Sequence, residues 1–300
     1  MSQRWLEISV QVDPSDVDDL RAELGRYVGS ALAVEHPGDH ARGRVTVRAY
    51  IADGEKCAST RQAVERALWH LGATGASTLR EPQARWVRPE DYLNEWREFY
   101  RPFPIGRGFI VAPSWSDVPD GNRRVIRLDP GMAFGTGLHP TTQLAVEMLE
   151  RALATGQAML DVGTGSGILA IVAALRGARR VCAIDSDADA VRAARENVER
   201  NGCDDRVSVI HGQLPLSSLD PCDLLVANIV ADTHLRDFDL YLEAVRRGGR
   251  VILGGIIETR GAEVRVAAAD RGLKLEGALC RDGWECLNLG APAIAGAAGE

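Results

Sequence analysis

Residues 160–167 read Leu-Asp-Val-Gly-Thr-Gly-Ser-Gly, and an acid, Asp185, closes the next apolar run. Gly163, Gly165 and Gly167 let the backbone turn sharply and let a ligand come closer than any Cβ would permit. The run before them, Ala158–Val162, has the composition of a short buried strand, and Ile168–Leu175 is apolar enough for a helix lying on a sheet. A second strand, Val181–Ile184, then delivers Asp185 at its carboxyl end. In an open α/β sheet that edge takes nucleotide-like ligands, and an acid there accepts bonds from ribose hydroxyls.

Two nucleotides compete for the pattern. A dinucleotide fingerprint needs G-x-G-x-x-G or its alanine-ending variant, with a helix start aimed at a pyrophosphate. Counted from Gly163 the sixth position is Ile168, which fails; counted from Gly165, G-S-G-I-L-A satisfies the variant. The glycines alone therefore leave NAD open. Asp161 tips the balance, because a carboxylate beside the turn repels a pyrophosphate and suits a cationic ligand. S-adenosylmethionine, with its ammonium and sulfonium and no phosphate, is the preferred cofactor, and NAD stands second.

Two further segments carry chemistry. Asp129–Thr142 places three glycines ahead of His139-Pro140-Thr141-Thr142, a helix start. Threonine hydroxyls can cap that helix, but capping needs only one of them. The glycines suggest a loop that closes over the cofactor. A loop histidine such as His139 is more often structural than a base. The other segment, Val226-Ala227-Asn228-Ile229, ends an apolar run, and the Asn228 carbonyl can orient an amine lone pair toward an electrophilic carbon. A cap for the following helix is the competing role for Asn228, disfavoured because Asp232 lies nearer that helix.

Around these residues the chain divides in two. Strands at 5–12, 31–35, 44–51 and near 77–87, with helices from Asp13 through Val28 and over Glu55–Leu71, make β-α-β-β-α-β, a ferredoxin-like α+β pattern. Pro82 puts the last of those strands at an edge. This domain, residues 1–87, holds no catalytic cluster and reads as a substrate-recognition domain. Residues 88–104 are a charged aromatic connector, with Tyr92, Trp96 and Phe99 on one side of a short helix. Residues 105–290 continue the β/α alternation: a helix over Asp187–Asn201, strands at Val207–Ile210 and Asp223–Ile229, and a helix over Asp232–Arg247. A strand at Val251–Leu253 and a helix over Thr259–Arg271 follow, then two strands facing each other across Asp282-Gly283. That terminal hairpin fits a methyltransferase better than a dehydrogenase. The tail, 291–300, is small-residue sequence expected to be disordered.

Composition narrows the class. The net charge is −7 with no dense Lys/Arg tract, which argues against strong direct nucleic-acid binding. No apolar run reaches the ~20 residues of a membrane span, and Glu7 interrupts the first apolar stretch, unlike a signal peptide. The six cysteines contain no C-x-x-C pair, and Cys182 and Cys222 fall in or beside strand runs. Reduced thiols and no metal site are expected, in a cytoplasmic enzyme.

The whole chain resembles the PrmA family, methyltransferases of large-subunit ribosomal protein eleven. The resemblance rests on E-W-R-E-F-Y-R-P-F-P-I-G, D-P-G-M-A-F-G-T-G-L-H-P-T-T, D-V-G-T-G-S-G-I-L-A-I, V-A-N-I and the terminal G-W-E-C-L-N-L. It implies a seven-stranded class I S-adenosylmethionine-dependent methyltransferase domain, Rossmann-like, behind the ferredoxin-like one. By position the family's cofactor contacts fall on Thr142, Gly163, Asp185 and Asn228, within a motif that also holds Asp161, Gly165 and Gly167. It implies transfer of methyl groups to lysine ε-amines and the N-terminal α-amine of that ribosomal protein, with Asn228 at the reacting centre. Another protein, an RNA or a small molecule would use the same cofactor site. The chain departs from the family at Gly254, where serine is usual, and Ile229-Val230 replaces the Pro-Pro-aromatic found in many amine methyltransferases.

Overall fold

The computed structural model describes residues 4–28, 32–35, 44–54, 56–73, 79–87, 101–118, 121–129, 137–215 and 220–292. The chain forms two compact units, Met1–Phe99 and Tyr100–Glu300. The connector helix expected around Tyr92, Trp96 and Phe99 lies outside the described residues, as does the tail from residue 293.

In the first unit β1 (Trp5–Val12), α1 (Val17–Val28), β2 (Leu32–Glu35), β3 (Val45–Ala52), α2 (Cys57–Ala73) and β4 (Gln83–Val87) follow one another. The sheet order is β2-β3-β1-β4, and every neighbouring pair is antiparallel. Alternation decides the faces. Leu6, Ile8, Val10 and Val12 join Val45, Val47, Ala49 and Ile51 in one core with Leu20, Leu24, Val64 and Leu68 of the two helices. β4 begins just after Pro82 and is an edge strand, where a missing N–H costs nothing. On the opposite face Glu7 is buried and accepts from Arg48 Nη1 and Arg85 Nε, each at 2.8 Å.

The second unit opens with a small sheet that sequence reading passes over: β5 (Phe103–Ile105), β6 (Phe109–Ala112) and β7 (Arg124–Arg127), in that order. Strands of three or four residues show no measurable periodicity. Then come α3 (Pro140–Ala152), β8 (Ala158–Val162), α4 (Ile168–Leu175), β9 (Arg180–Asp185), α5 (Ala188–Arg200) and β10 (Val207–His211). The chain continues through β11 (Cys222–Asn228), α6 (Ala231–Ala244), β12 (Val245–Ile257), α7 (Gly261–Ala269), β13 (Lys274–Arg281) and β14 (Trp284–Gly290). Seven strands form one mixed sheet in the order β10-β9-β8-β11-β12-β14-β13. The first five are mutually parallel; β14 runs antiparallel to both its neighbours. Buried apolar clusters cover both faces. The strand order reverses between β8 and β11, and a ligand cleft belongs at such a reversal, above the carboxyl ends.

The hairpin turn is where the sequence placed it. Asp282 and Gly283 both have positive φ, 50° and 76°, as a two-residue type I′ turn requires. Two expectations shift. The helix expected to run to Arg247 ends at Ala244, because Val245 is already extended and begins a thirteen-residue strand. The helix expected from Thr259 starts as a 3₁₀ turn, Glu258–Arg260, before α7.

Candidate functional site

The glycine turn joins β8 to α4 and is tied to the elements around it. Gly163 and Thr164 both donate to the Ile184 carbonyl, at 2.9 and 3.0 Å. Gly165 donates its N–H to Asp185 Oδ2 at 2.9 Å, and Asp187 donates to Oδ1 at 3.0 Å. Gly163 sits at φ 71°, and a Cβ there would lie 2.6 Å from Ile229 Cγ2, so the turn also abuts the end of β11. Gly167, where α4 starts, packs against Ala194 of α5. The turn, the β9 acid and the β11 terminus thus share one edge of the sheet.

Asp161 is fully buried on β8, one residue before its end. Burial pushes its carboxyl up to about 7; the Thr164 hydroxyl and the Ala170 backbone pull it back, and the Asp185 charge adds to the rise. Thr164 Oγ1 donates to Oδ2 at 2.7 Å, while Oδ1 has no partner. A carboxylate so placed is poised for a cation.

His139 caps α3: its Nδ1 accepts from the Thr141 N–H at 3.3 Å and lies 2.8 Å from Thr141 Oγ1. Its ring meets the Trp284 indole edge-on at 5.1 Å. The structural role expected for this histidine is the one observed, and neither threonine hydroxyl is the cap. Thr142 Oγ1 is buried without a partner. Asn228, at the end of β11, offers its Nδ2 to Thr141 Oγ1 at 3.5 Å, and its Oδ1 is buried without a partner. Asp232 is not the cap that sequence reading made it. Val230 occupies the cap position with no side-chain bond, and Asp232 sits in the first turn paired with Arg260.

Thr142, Asp161 and Asn228 come from three elements, and each presents a buried oxygen that nothing in the protein satisfies. A buried unsatisfied polar atom costs ~1–3 kcal/mol; Thr142, Asp161 and Asn228 are three of seven residues with such an atom among the described residues, and Asp161 and Asn228 flank the glycine turn on the adjacent strands β8 and β11. Such acceptors fit the ammonium of S-adenosylmethionine. Of the glycine-rich loop before the site, residues 130–136 lie outside the described residues, and with them the expected closure. Its flanks are fixed. Asp129 accepts from Ser114 N at 2.6 Å, and a Cβ on Gly137 would meet Phe103, Val111 and Ile168 at 3.2–3.3 Å.

A family model described as Ribosomal protein L11 methyltransferase (PrmA) matches residues 4–291. The chain belongs to that family. A Ribosomal protein L11 methyltransferase of Chloroflexus aurantiacus is 39% identical over 90% of this chain and 93% of its own. One from Geobacter sulfurreducens is 38% identical over 96% of this chain and 98% of its own. The crystal structure of a ribosomal protein L11 methylase from Lactobacillus delbrueckii subsp. bulgaricus aligns with TM-score 0.60 and 34% identity, covering 64% of this chain and all of that one. The protein is therefore an S-adenosylmethionine-dependent methyltransferase, and NAD is set aside.

Two features of the site in this family member had no separate sequence signal. Trp284, read as the start of a strand, brings the terminal hairpin to His139. Gly254, read as a departure from the family, is the register partner of Asn228.

Proposed function

We propose that this protein methylates lysine ε-amines and the N-terminal α-amine of ribosomal protein L11 in the cytoplasm. The observation that carries the reading is the family match over residues 4–291; the buried, partnerless Thr142 Oγ1, Asp161 Oδ1 and Asn228 Oδ1 support it as polar atoms left for a ligand. The strand order 3-2-1-4-5-7-6, with its last strand antiparallel, supports a class I methyltransferase unit. The antiparallel order 4-1-3-2 with two helices supports a ferredoxin-like first unit, and we assign protein recognition to it. The domain limits we adopt are 1–87, a connector at 88–104 and 105–290.

The cofactor, when bound, supplies an electrophilic methyl carbon on a sulfonium, already a good leaving group. The chain then contributes positioning. Asp185 would accept from ribose hydroxyls while it holds the Gly165 N–H; Asp161 would face positive charge; Thr142 and the glycines would seat the remainder. Asn228 Oδ1 accepts a hydrogen from the incoming amine and turns its lone pair along the axis of displacement. The bound cofactor would supply its methyl group to that amine, and the proton shed by the methylated amine would pass to water. The amine must enter neutral, and free α-amino and lysine groups titrate near ~8 and ~10.4, so the rate rises with pH.

The net charge of −7 without a dense basic tract favours a protein substrate over a nucleic acid, and no helix among the described residues is long and apolar enough to cross a membrane. Incubation with methyl-labelled S-adenosylmethionine and whole ribosomes, followed by peptide mapping, tests the reading. Label on L11 lysines and its N-terminus is expected; label in RNA or in another protein overturns it.

A further inference from the structure

Behind the site lies a polar pair that the chemistry above does not use. His234 of α6 is fully buried, with Nε2 2.8 Å from the Gly254 carbonyl oxygen and Nδ1 3.3 Å from the hydroxyl of Tyr241, also fully buried. A carbonyl only accepts, so Nε2 carries the proton and Nδ1 receives the tyrosine hydrogen. Burial holds the imidazole down at about 4, and the ring is neutral. Apolar residues would fill the same space without desolvating three polar atoms. The pair has a task to explain it.

Gly254 of β12 is the register partner of Asn228. A Cβ on Gly254 would lie 2.6 Å from Asn228 Oδ1, so the asparagine amide rests on the bare Cα of that glycine. The next residue, Gly255, has φ 73°, and a Cβ there would strike the Ile229 carbonyl. The β12 backbone therefore bends directly beneath Asn228-Ile229, and His234 holds the carbonyl at the bend. Asn228 has little else to fix it, since its Nδ2 reaches Thr141 Oγ1 only at 3.5 Å and its Oδ1 is unbonded.

We propose that His234, oriented by Tyr241, is a positioning residue for methyl transfer: by pinning the Gly254 peptide it sets the surface against which the Asn228 carbonyl is aimed. This rests on the assignment of Asn228 to the reacting centre. It predicts that the dyad matters for turnover and not for cofactor affinity.

The test uses the full-length protein, steady-state methylation of the ribosomal protein, and calorimetry with S-adenosylmethionine. His234→Phe fills the volume without a bond and should lower kcat about tenfold or more, leaving KM for the protein and cofactor affinity within about twofold. His234→Gln restores a donor near Nε2 and should recover most of the loss. Tyr241→Phe removes one hydroxyl and should show a smaller loss of the same kind, which decides the matter if the phenylalanine at 234 fails to fold. The double variant His234→Phe with Asn228→Ala should be no slower than Asn228→Ala alone. Losses that multiply, or a loss confined to cofactor affinity, overturn the proposal. A normal kcat in Asn228→Ala alone overturns the assignment of Asn228 itself, and the two failures are told apart by that single variant.

Discussion

Gly165 donates its backbone N–H to the carboxylate of Asp185 across 2.9 Å, so the middle of the glycine turn and the acid at the end of β9 are bonded to each other. The acid to which we assign the ribose hydroxyls is thus also the acid that holds the glycine turn. A carboxylate has about four lone-pair directions, and the backbone bonds from Gly165 and Asp187 occupy two of them. Binding and turn geometry are thereby coupled at one side chain.

Asp185→Ala should accordingly weaken S-adenosylmethionine by more than the ribose bonds alone. Each charge-assisted bond is worth ~1.5–3 kcal/mol, so a loss of at least tenfold in affinity is expected by calorimetry, with circular dichroism unchanged. Undiminished affinity in a folded variant removes Asp185 from the cofactor site.

Asp161 makes a pH-dependent prediction. Its carboxyl rises from 3.8 when free to about 7 when folded. Below the free value both states are protonated and this group is neutral for stability. Between the two values the unfolded chain ionises first, so its contribution falls by ~1.4 kcal/mol per pH unit and levels off above the folded value. Asp161→Asn should remove that slope, making the ligand-free variant the more stable protein at pH 8 and not at pH 4. A bound cation should draw the proton off Asp161, so binding near pH 6 should release up to one proton. Calorimetry in buffers of different ionisation enthalpy measures this, and a variant that still releases it would place the proton elsewhere.

The catalytic unit was legible because its signals are local. A strand, three glycines, a helix and an acid at a strand end occupy 28 consecutive positions, and Asp282-Gly283 announces its own turn. The relationships that give the site its shape are not local. Asn228 meets Thr141 across 87 residues and lies beside Gly254 only once β11 and β12 are in register. Nothing in the types of His234 and Tyr241 distinguishes them from core filling until the Gly254 carbonyl is seen between them and the site. The β5–β7 sheet escaped because three or four residues cannot display a period.

Glu7 sets the acid tolerance of the first unit. Burial alone would raise its carboxyl, but the bonds and charges of Arg85 and Arg48 outweigh it and hold it below the ordinary 4.5. A depressed carboxyl contributes stability above its unfolded value and loses it as pH falls through the folded one. The first unit should therefore lose protection in acid before the second. Glu7→Ala removes the shared acceptor of two guanidiniums that are themselves partly exposed, and should cost ~1–3 kcal/mol. Limited proteolysis should then cut within residues 1–87 first, while cofactor binding survives.

That separation leads to the test of recognition. The residues we assign to the cofactor all lie after residue 128, and the first unit has its own core of β1, β3, α1 and α2 side chains. A chain beginning at Arg88 should bind S-adenosylmethionine with near-normal affinity, which also shows that it has folded. It should lose methylation of ribosomal protein L11, because the target is no longer held at the edge where Asn228 waits. Methylation of a free lysine-containing peptide, at high concentration, should fall far less, since such a peptide has no folded surface to be read. If the shortened enzyme methylates the ribosomal protein at the full rate, recognition belongs to residues 105–290 and the first unit has some other role.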